Sequence, residues 1–230
     1  RRFDSVIAHV IMAEINITLP DNSVRSVQTG TTPQNVADSI GPGLARAAVV
    51  AKVDGELIDL NTSLSRDCNL ELFTGDTTEG QDTLLHSTAH LMAQAVRHLY
   101  PDVKIAIGPT IENGFYYDFD IDGTFSEDDL AKIEQKMKEL AKANYDITRQ
   151  EITAADAVIF FKNKHEDYKV DIIKRIDPSD MITTYTQDDF TDLCRGPHVS
   201  KTGKIKHFKL LSTSGAYWRG DEKNKMLQRI

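Results

Sequence analysis

The residues with the greatest chemical reach fall in two short stretches. His86 and His90 stand four apart in Asp82-Thr-Leu-Leu-His86-Ser-Thr-Ala-His90, and Cys194 and His198 stand four apart in Asp192-Leu-Cys194-Arg-Gly-Pro-His198. Leu84, Leu85, Ala89, Leu91, Met92, Ala95, Val96 and Leu99 recur at helical spacing, which predicts a helix from Asp82, its N-cap, to Tyr100. On that helix the two imidazoles share one face, one turn apart. Gly196-Pro197 rules out a continuous helix, so Cys194 and His198 are expected on a turn. Such a helix and turn can close on one pocket. Nitrogen and thiolate ligands suit zinc, which would activate water for hydrolysis. A metal-free alternative has the imidazoles and thiol hydrogen-bonding a substrate and placing a water. A third has Cys194 as nucleophile, its thiol acidified by Arg195. For the His pair taken alone, coincidence in a core or on a surface is the plain alternative. No Glu stands inside His86-Ser-Thr-Ala-His90, which argues against a zinc protease.

The elements that must position these residues are spread over 230 residues, enough for one or two domains with a real core. Two cysteines, Cys68 and Cys194, make no disulfide framework, and no apolar run approaches the roughly 18 residues of a membrane span. A reducing, cytoplasmic setting without a membrane is therefore expected. Net charge is −8, which argues against a general nucleic-acid binder. From Arg195 to Ile230, however, nine Lys or Arg face two acidic residues, a local +7 against −15 elsewhere. A basic end on an acidic protein suits a polyanion touching one face, with an ordinary solvated surface as the alternative. Lys204, Lys206 and Lys209 are its expected phosphate contacts.

In chain order, residues 1–14 are read as a leader, with 1–11 a non-native remnant ahead of Met12-Ala13-Glu14. Residues 15–75 read as a small β-rich domain. Ile15–Leu19 and Val24–Val27 alternate as strands, and Thr32-Pro33 opens a helix that Gly41-Pro42-Gly43 stops. Ala47–Val53 turns at Asp54-Gly55 into Leu57–Leu60, and Leu70–Phe73 closes the unit. Two strands, a helix and further strands make a β-grasp pattern with no cluster of catalytic groups. Residues 76–81 are polar, glycine-bearing and aperiodic, and are read as a linker. Residues 82–230 read as a larger α+β domain. After the histidine helix come strands at Val103–Ile107 and Gly114–Asp120. A helix with a Ser126–Asp129 capping box follows, then a strand at Ile147–Ile152. Helices are expected at Ala154–Phe161 and Tyr168–Ile176, and strands at Met181–Gln187, His207–Leu211, Ala216–Arg219 and Lys225–Ile230.

Four strings carry a resemblance. They are His86-Ser-Thr-Ala-His90, Ile107-Gly-Pro109 with Gly114-Phe-Tyr-Tyr-Asp118, Cys194-Arg-Gly-Pro-His198, and Gly215-Ala-Tyr-Trp-Arg-Gly-Asp221. Together they make the chain resemble bacterial threonyl-tRNA synthetases over about residues 13–230. The resemblance implies a TGS domain of β-grasp fold at 15–75 and an editing domain, related to that of alanyl-tRNA synthetases, at 82–230. It places the family's class II catalytic domain, with its ATP and threonine sites and its own zinc, beyond Ile230. It also implies the reaction: hydrolysis of serine mischarged on tRNA(Thr). One methylene distinguishes substrates by only about 1–3 kcal/mol, so a second sieve is useful. By position, His86, His90, Cys194 and His198 line the pocket, Lys169 is the catalytic lysine, and Asp192 holds the serine amine or a water. Tyr116 and Tyr117 are nearby candidates. The resemblance implies no obligatory metal for editing; if zinc binds, His86, His90, Cys194 and His198 would hold it. The partner is tRNA(Thr), with a monomer expected for this length of chain and a homodimer for the full enzyme. The competing classes are a non-catalytic RNA-binding module and a zinc-dependent ester hydrolase of the alanyl-editing type.

Overall fold

The structure, a computed structural model, describes residues 13–230; the leader reading therefore lies almost wholly outside the described residues. The first unit contains β1 (Glu14–Thr18), β2 (Val24–Gln28), α1 (Pro33–Ile40), α2 (Pro42–Ala47), β3 (Ala48–Val53), β4 (Glu56–Ile58) and β5 (Cys68–Thr74). Its sheet runs β2-β1-β5-β3-β4, with β1 and β5 parallel and the other pairs antiparallel, the order of a β-grasp. Thr32 caps α1 reciprocally with Asn35, and Pro33 sits at its start. Gly41 ends α1 as expected, but Pro42 then opens the short helix α2, so the Gly-Pro-Gly string is a hinge between helices.

The second unit is organised on α3 (Thr78–Leu99). The predicted linker is mostly the first turn of this helix, and its N-cap is Thr77, whose side chain accepts from the Gly80 N–H; Asp82 lies inside the helix. Gly80 is required by close approach, because a Cβ there would lie 1.9 Å from the Thr74 carbonyl oxygen. The domains thus meet at a tight corner. Every residue from Ser87 to Val96 is buried, so the middle of α3 is covered on all sides. Val49 and Val50 of β3 join Leu91, Met92 and Val96 in one core with α4 (Glu127–Ala143).

Around α3 run β6 (Lys104–Ile105), β7 (Thr110–Ile111), β8 (Gly114–Phe115) and β9 (Asp118–Asp120), ahead of α4. After α4 come β10 (Ile147–Thr153), α5 (Ala154–Asn163), α6 (Asp167–Ile173), β11 (Met181–Gln187), β12 (Phe190–Leu193), β13 (Ser214–Tyr217) and β14 (Met226–Arg229). Three sheets result: β10-β11-β12, β13-β14-β9-β6 and the β7-β8 hairpin. The chain is α+β. The aromatic strand predicted at Gly114–Asp120 is broken between β8 and β9, where Tyr117 turns inward against Ile230. His207–Leu211 forms no strand, because Leu210 N–H donates to the Glu134 carboxylate instead of to a neighbouring strand. No described helix is long and apolar enough to cross a membrane.

Candidate functional site

Helix α3 sets His86 and His90 one turn apart with ring centroids 5.3 Å apart. The segment after β12 brings His198 between them, its centroid 4.4 Å from His86 and 4.3 Å from His90. Cys194 Sγ lies 3.2 Å from His86 Nε2 and 3.2 Å from His198 Nε2. One donor atom from each of the four falls within 4.8 Å of the others. The turn holding the second pair is fixed by Gly196, whose φ of +73° is left-handed and whose missing Cβ leaves room for the Tyr185 hydroxyl.

A second set of groups adjoins the first. Lys169 of α6 and Asp192 of β12 are buried together, with Lys169 Nζ 2.5 Å from Asp192 Oδ1. The ammonium also donates to the Tyr117 hydroxyl at 2.8 Å, and that hydroxyl donates to Asp192 Oδ2 at 2.5 Å. His90 Nε2 stands 3.6 Å from the same Oδ2, which joins the two sets. His86, His90 and Cys194 of the first set and Lys169 and Tyr117 of the second line a cavity of about 890 Å³, with Ile107, Pro109, Ile172 and Ile182 on its apolar wall, while His198 and Asp192 lie buried behind them.

Burial decides the protonation of this cluster. It lowers the pKa of His86, against the pull of Asp192. It lowers those of His90 and His198 further, with the neighbouring imidazoles opposing charge as well. All three rings are therefore neutral at pH 7. The same burial pushes the Cys194 thiol up to about 12. The expected acidification by Arg195 is absent, so an unliganded Cys194 is a thiol and a poor nucleophile. The hydrogen-bond network assigns the His198 tautomer. The Ser87 hydroxyl donates to the Thr83 carbonyl at 2.8 Å and accepts from Val199 N–H, so its contact with His198 Nδ1 at 3.1 Å is received from the ring. His198 Nε2 is left as a bare acceptor beside the thiol. Bare imidazole nitrogens and a thiol at this spacing fit a zinc ion chemically.

Of the eight predicted site residues seven converge, namely His86, His90, Cys194, His198, Lys169, Asp192 and Tyr117, and Tyr116 does not. The Tyr116 ring lies under the Arg229 guanidinium at 3.6 Å and lines a different cavity. The basic end is largely neutralised. Lys201, Lys209, Arg219, Lys225 and Arg229 pair with carboxylates. Lys204 donates to the Arg46 and Ala48 carbonyls of the β-grasp unit, so of the three expected phosphate contacts only Lys206 has no such partner among the described residues. Sequence reasoning missed Ser87, Tyr185 and Asp59. Each is an ordinary polar residue whose role depends on contacts more than a hundred positions away, and no local signal marks it.

Gly108 supports the site from below, since a Cβ there would lie 2.0 Å from the Tyr117 ring. Gly108→Ala is expected to displace Tyr117 from Asp192, lowering stability by about 1–3 kcal/mol as overpacking does. Thermal melting checks this, and an unchanged melting temperature would show that the ring has room to move.

Comparison with known proteins adds the family context. Residues 15–74 match the family model of the TGS domain, and residues 182–230 match that of the threonyl and alanyl tRNA synthetase second additional domain. The second match contains Asp192, Cys194 and His198. Over 219 residues the chain is 54% identical to the threonine–tRNA ligase of Geobacter sp. strain M21, covering 95% of this chain and 34% of that one. This chain is a homologue of the threonine–tRNA ligases. The corresponding enzyme of Acetivibrio thermocellus is 52% identical over 216 residues, and that of Burkholderia cenocepacia 51% over 216. The chain spans about a third (34%) of the length of these curated relatives.

Proposed function

We propose that this chain hydrolyses the ester of serine mischarged on tRNA(Thr), proofreading for a threonine–tRNA ligase. The observation that carries the reading is the convergence of the His86–His90–Cys194–His198 cluster and the Lys169–Asp192–Tyr117 set on one cavity. At about 890 Å³ that cavity is too large for a serine side chain alone and suits an aminoacyl ester with its attached nucleoside. The relatives' name and the second-additional-domain match support a tRNA-linked substrate.

In this reading a water oxygen bonds to the ester carbonyl carbon and the bond to the ribose oxygen then breaks. The water's proton passes to that oxygen, giving free serine and the 3′-terminal hydroxyl. The Lys169 ammonium stabilises charge developing on the carbonyl oxygen, and Asp192, buried behind it, holds the lysine in place. Neutral His86, at the cavity face, orients the water or the ribose hydroxyl. The tRNA is the partner, cytoplasm the setting, and a single copy of this chain the working unit.

A second version of the reading uses zinc, favoured by the donor set. His86, His90, Cys194 and His198 would hold the ion, which would supply Lewis-acid polarisation of a bound oxygen. The first version needs no metal, because the buried Lys169 already brings a positive charge to the cavity.

Multiple-turnover deacylation of Ser-tRNA(Thr) and Thr-tRNA(Thr), with and without chelator, tests both. Serine-selective release that persists in chelator is expected. Loss of release on chelation, restored by equimolar zinc, would replace the first version with the second. No release in either condition, with tRNA still bound, would reduce the chain to a binding module.

A further inference from the structure

Asp59 belongs to the β-grasp unit, yet both of its carboxylate oxygens are engaged by the other domain. Oδ1 accepts the His198 backbone N–H at 2.6 Å, and Oδ2 accepts the Tyr185 hydroxyl at 2.8 Å. The neighbouring Leu60 explains the direction of the side chain. Leu60 is fully buried in the β-grasp core and its carbonyl is held by Gln34 N–H, so the residue before it, just past β4, turns outward. Asp59 is itself only 9% exposed. The Tyr185 ring packs 4.4 Å from the His198 ring, and Gly196 leaves the space that the Tyr185 hydroxyl occupies. His198 is therefore held at its backbone by Asp59, at its ring face by Tyr185 and at Nδ1 by Ser87.

We propose that Asp59 is a positioning residue for the hydrolytic site, through which the N-terminal domain sets the place of His198 by way of its own carboxylate and Tyr185. The proposal rests on the hydrolase reading above. Its physical basis is the acceptor count. Without the carboxylate, a buried N–H and a buried hydroxyl lose their partner, and the turn carrying Cys194 and His198 must shift to find others. A displacement of about 1 Å in a reacting group costs on the order of 10²-fold in rate.

The test uses the 230-residue chain in multiple-turnover deacylation of Ser-tRNA(Thr). Asp59→Ala is expected to lower kcat about 10- to 100-fold with KM within about twofold. Asp59→Asn keeps an oxygen for His198 N–H and offers its amide to the Tyr185 hydroxyl, and is expected to recover to within about threefold of wild type. Lys52→Met breaks the Lys52–Glu79 ion pair, which joins the same two domains without touching the cluster, and is expected to leave kcat unchanged. An unchanged kcat in Asp59→Ala, an Asn variant no better than Ala, or an equal loss in Lys52→Met would overturn the proposal. Should Asp59→Ala fail to fold, Tyr185→Phe takes its place, and an unchanged kcat there overturns it equally. Nitrogen NMR of the His198 imidazole gives a readout independent of turnover: one Nδ1–H tautomer in the wild type, mixed in Asp59→Ala. If the wild type releases no serine, the hydrolase reading fails on its own. The NMR arm then still decides the positioning, with an unmoved His198 signal rejecting it.

Discussion

Lys169→Met is expected to abolish serine release and to weaken the fold at the same time. The ammonium is the only cation within hydrogen-bond reach of Asp192 among the described residues, and both groups are almost fully buried, at 3% and 1% exposure. Removing one partner of such a pair leaves an uncompensated charge and typically costs about 3–5 kcal/mol. On the chemical side, loss of one oxyanion donor typically costs on the order of 10²–10³ in kcat. Denaturant unfolding and single-turnover deacylation of the same sample measure the two effects. The double variant Lys169→Met with Asp192→Leu should regain stability without regaining activity. Stability unchanged in the single variant would mean that the pair contributes nothing net, and wild-type release would remove Lys169 from the chemistry.

His86→Ala divides the same two effects the other way. The His86 ring is only partly buried, faces the cavity, and has the thiol and the Pro197 carbonyl as its polar neighbours. Its loss opens onto a space already present, so unfolding should shift by less than about 1 kcal/mol. Release of serine should fall on the order of 10²–10⁴-fold, the range for a positioned acid–base or water-orienting group. A stable variant that still deacylates at the wild-type rate would reassign the water-orienting role to His90 or His198. The contrast with Lys169 comes from burial: both residues touch the cavity, but only one is also part of the core.

Much of this arrangement is legible from local pattern. The helical spacing around His86, the Ser126–Asp129 box, the Asp54-Gly55 turn and the alternation of β1 depend on neighbours within a few positions, and the structure shows each of them. The misreadings have a common origin in long-range contacts. Thr78–Gln81 looks aperiodic because Gly80 answers to Thr74 across a corner rather than to a helix face. His207–Leu211 alternates like a strand, but Glu134 captures its backbone. The basic end reads as a phosphate surface in sequence, but Glu134, Asp120 and Asp118 meet Lys209, Lys225 and Arg229. Within the candidate site, residue type marked the histidines and the cysteine. Lys169 was marked only through family resemblance, because a lysine on a short helix carries no sign of being buried.

The all-round burial of α3 has a consequence for how the chain is made. Asp59, Ser87 and His90 leave the ribosome well before the turn that contains His198, separated from it by 139 residues in the first case and 111 in the second. At about 5–20 residues per second, completing the interval from Ser87 takes on the order of 5–20 s. During that time the β-grasp unit can fold, while the apolar middle of α3 waits for the strands and helix that will cover it. The nascent chain therefore passes through a state with a folded β-grasp unit and an exposed apolar helix, the kind of surface that chaperones shield. The candidate site is complete only once the segment from Asp192 to His198 has joined α3.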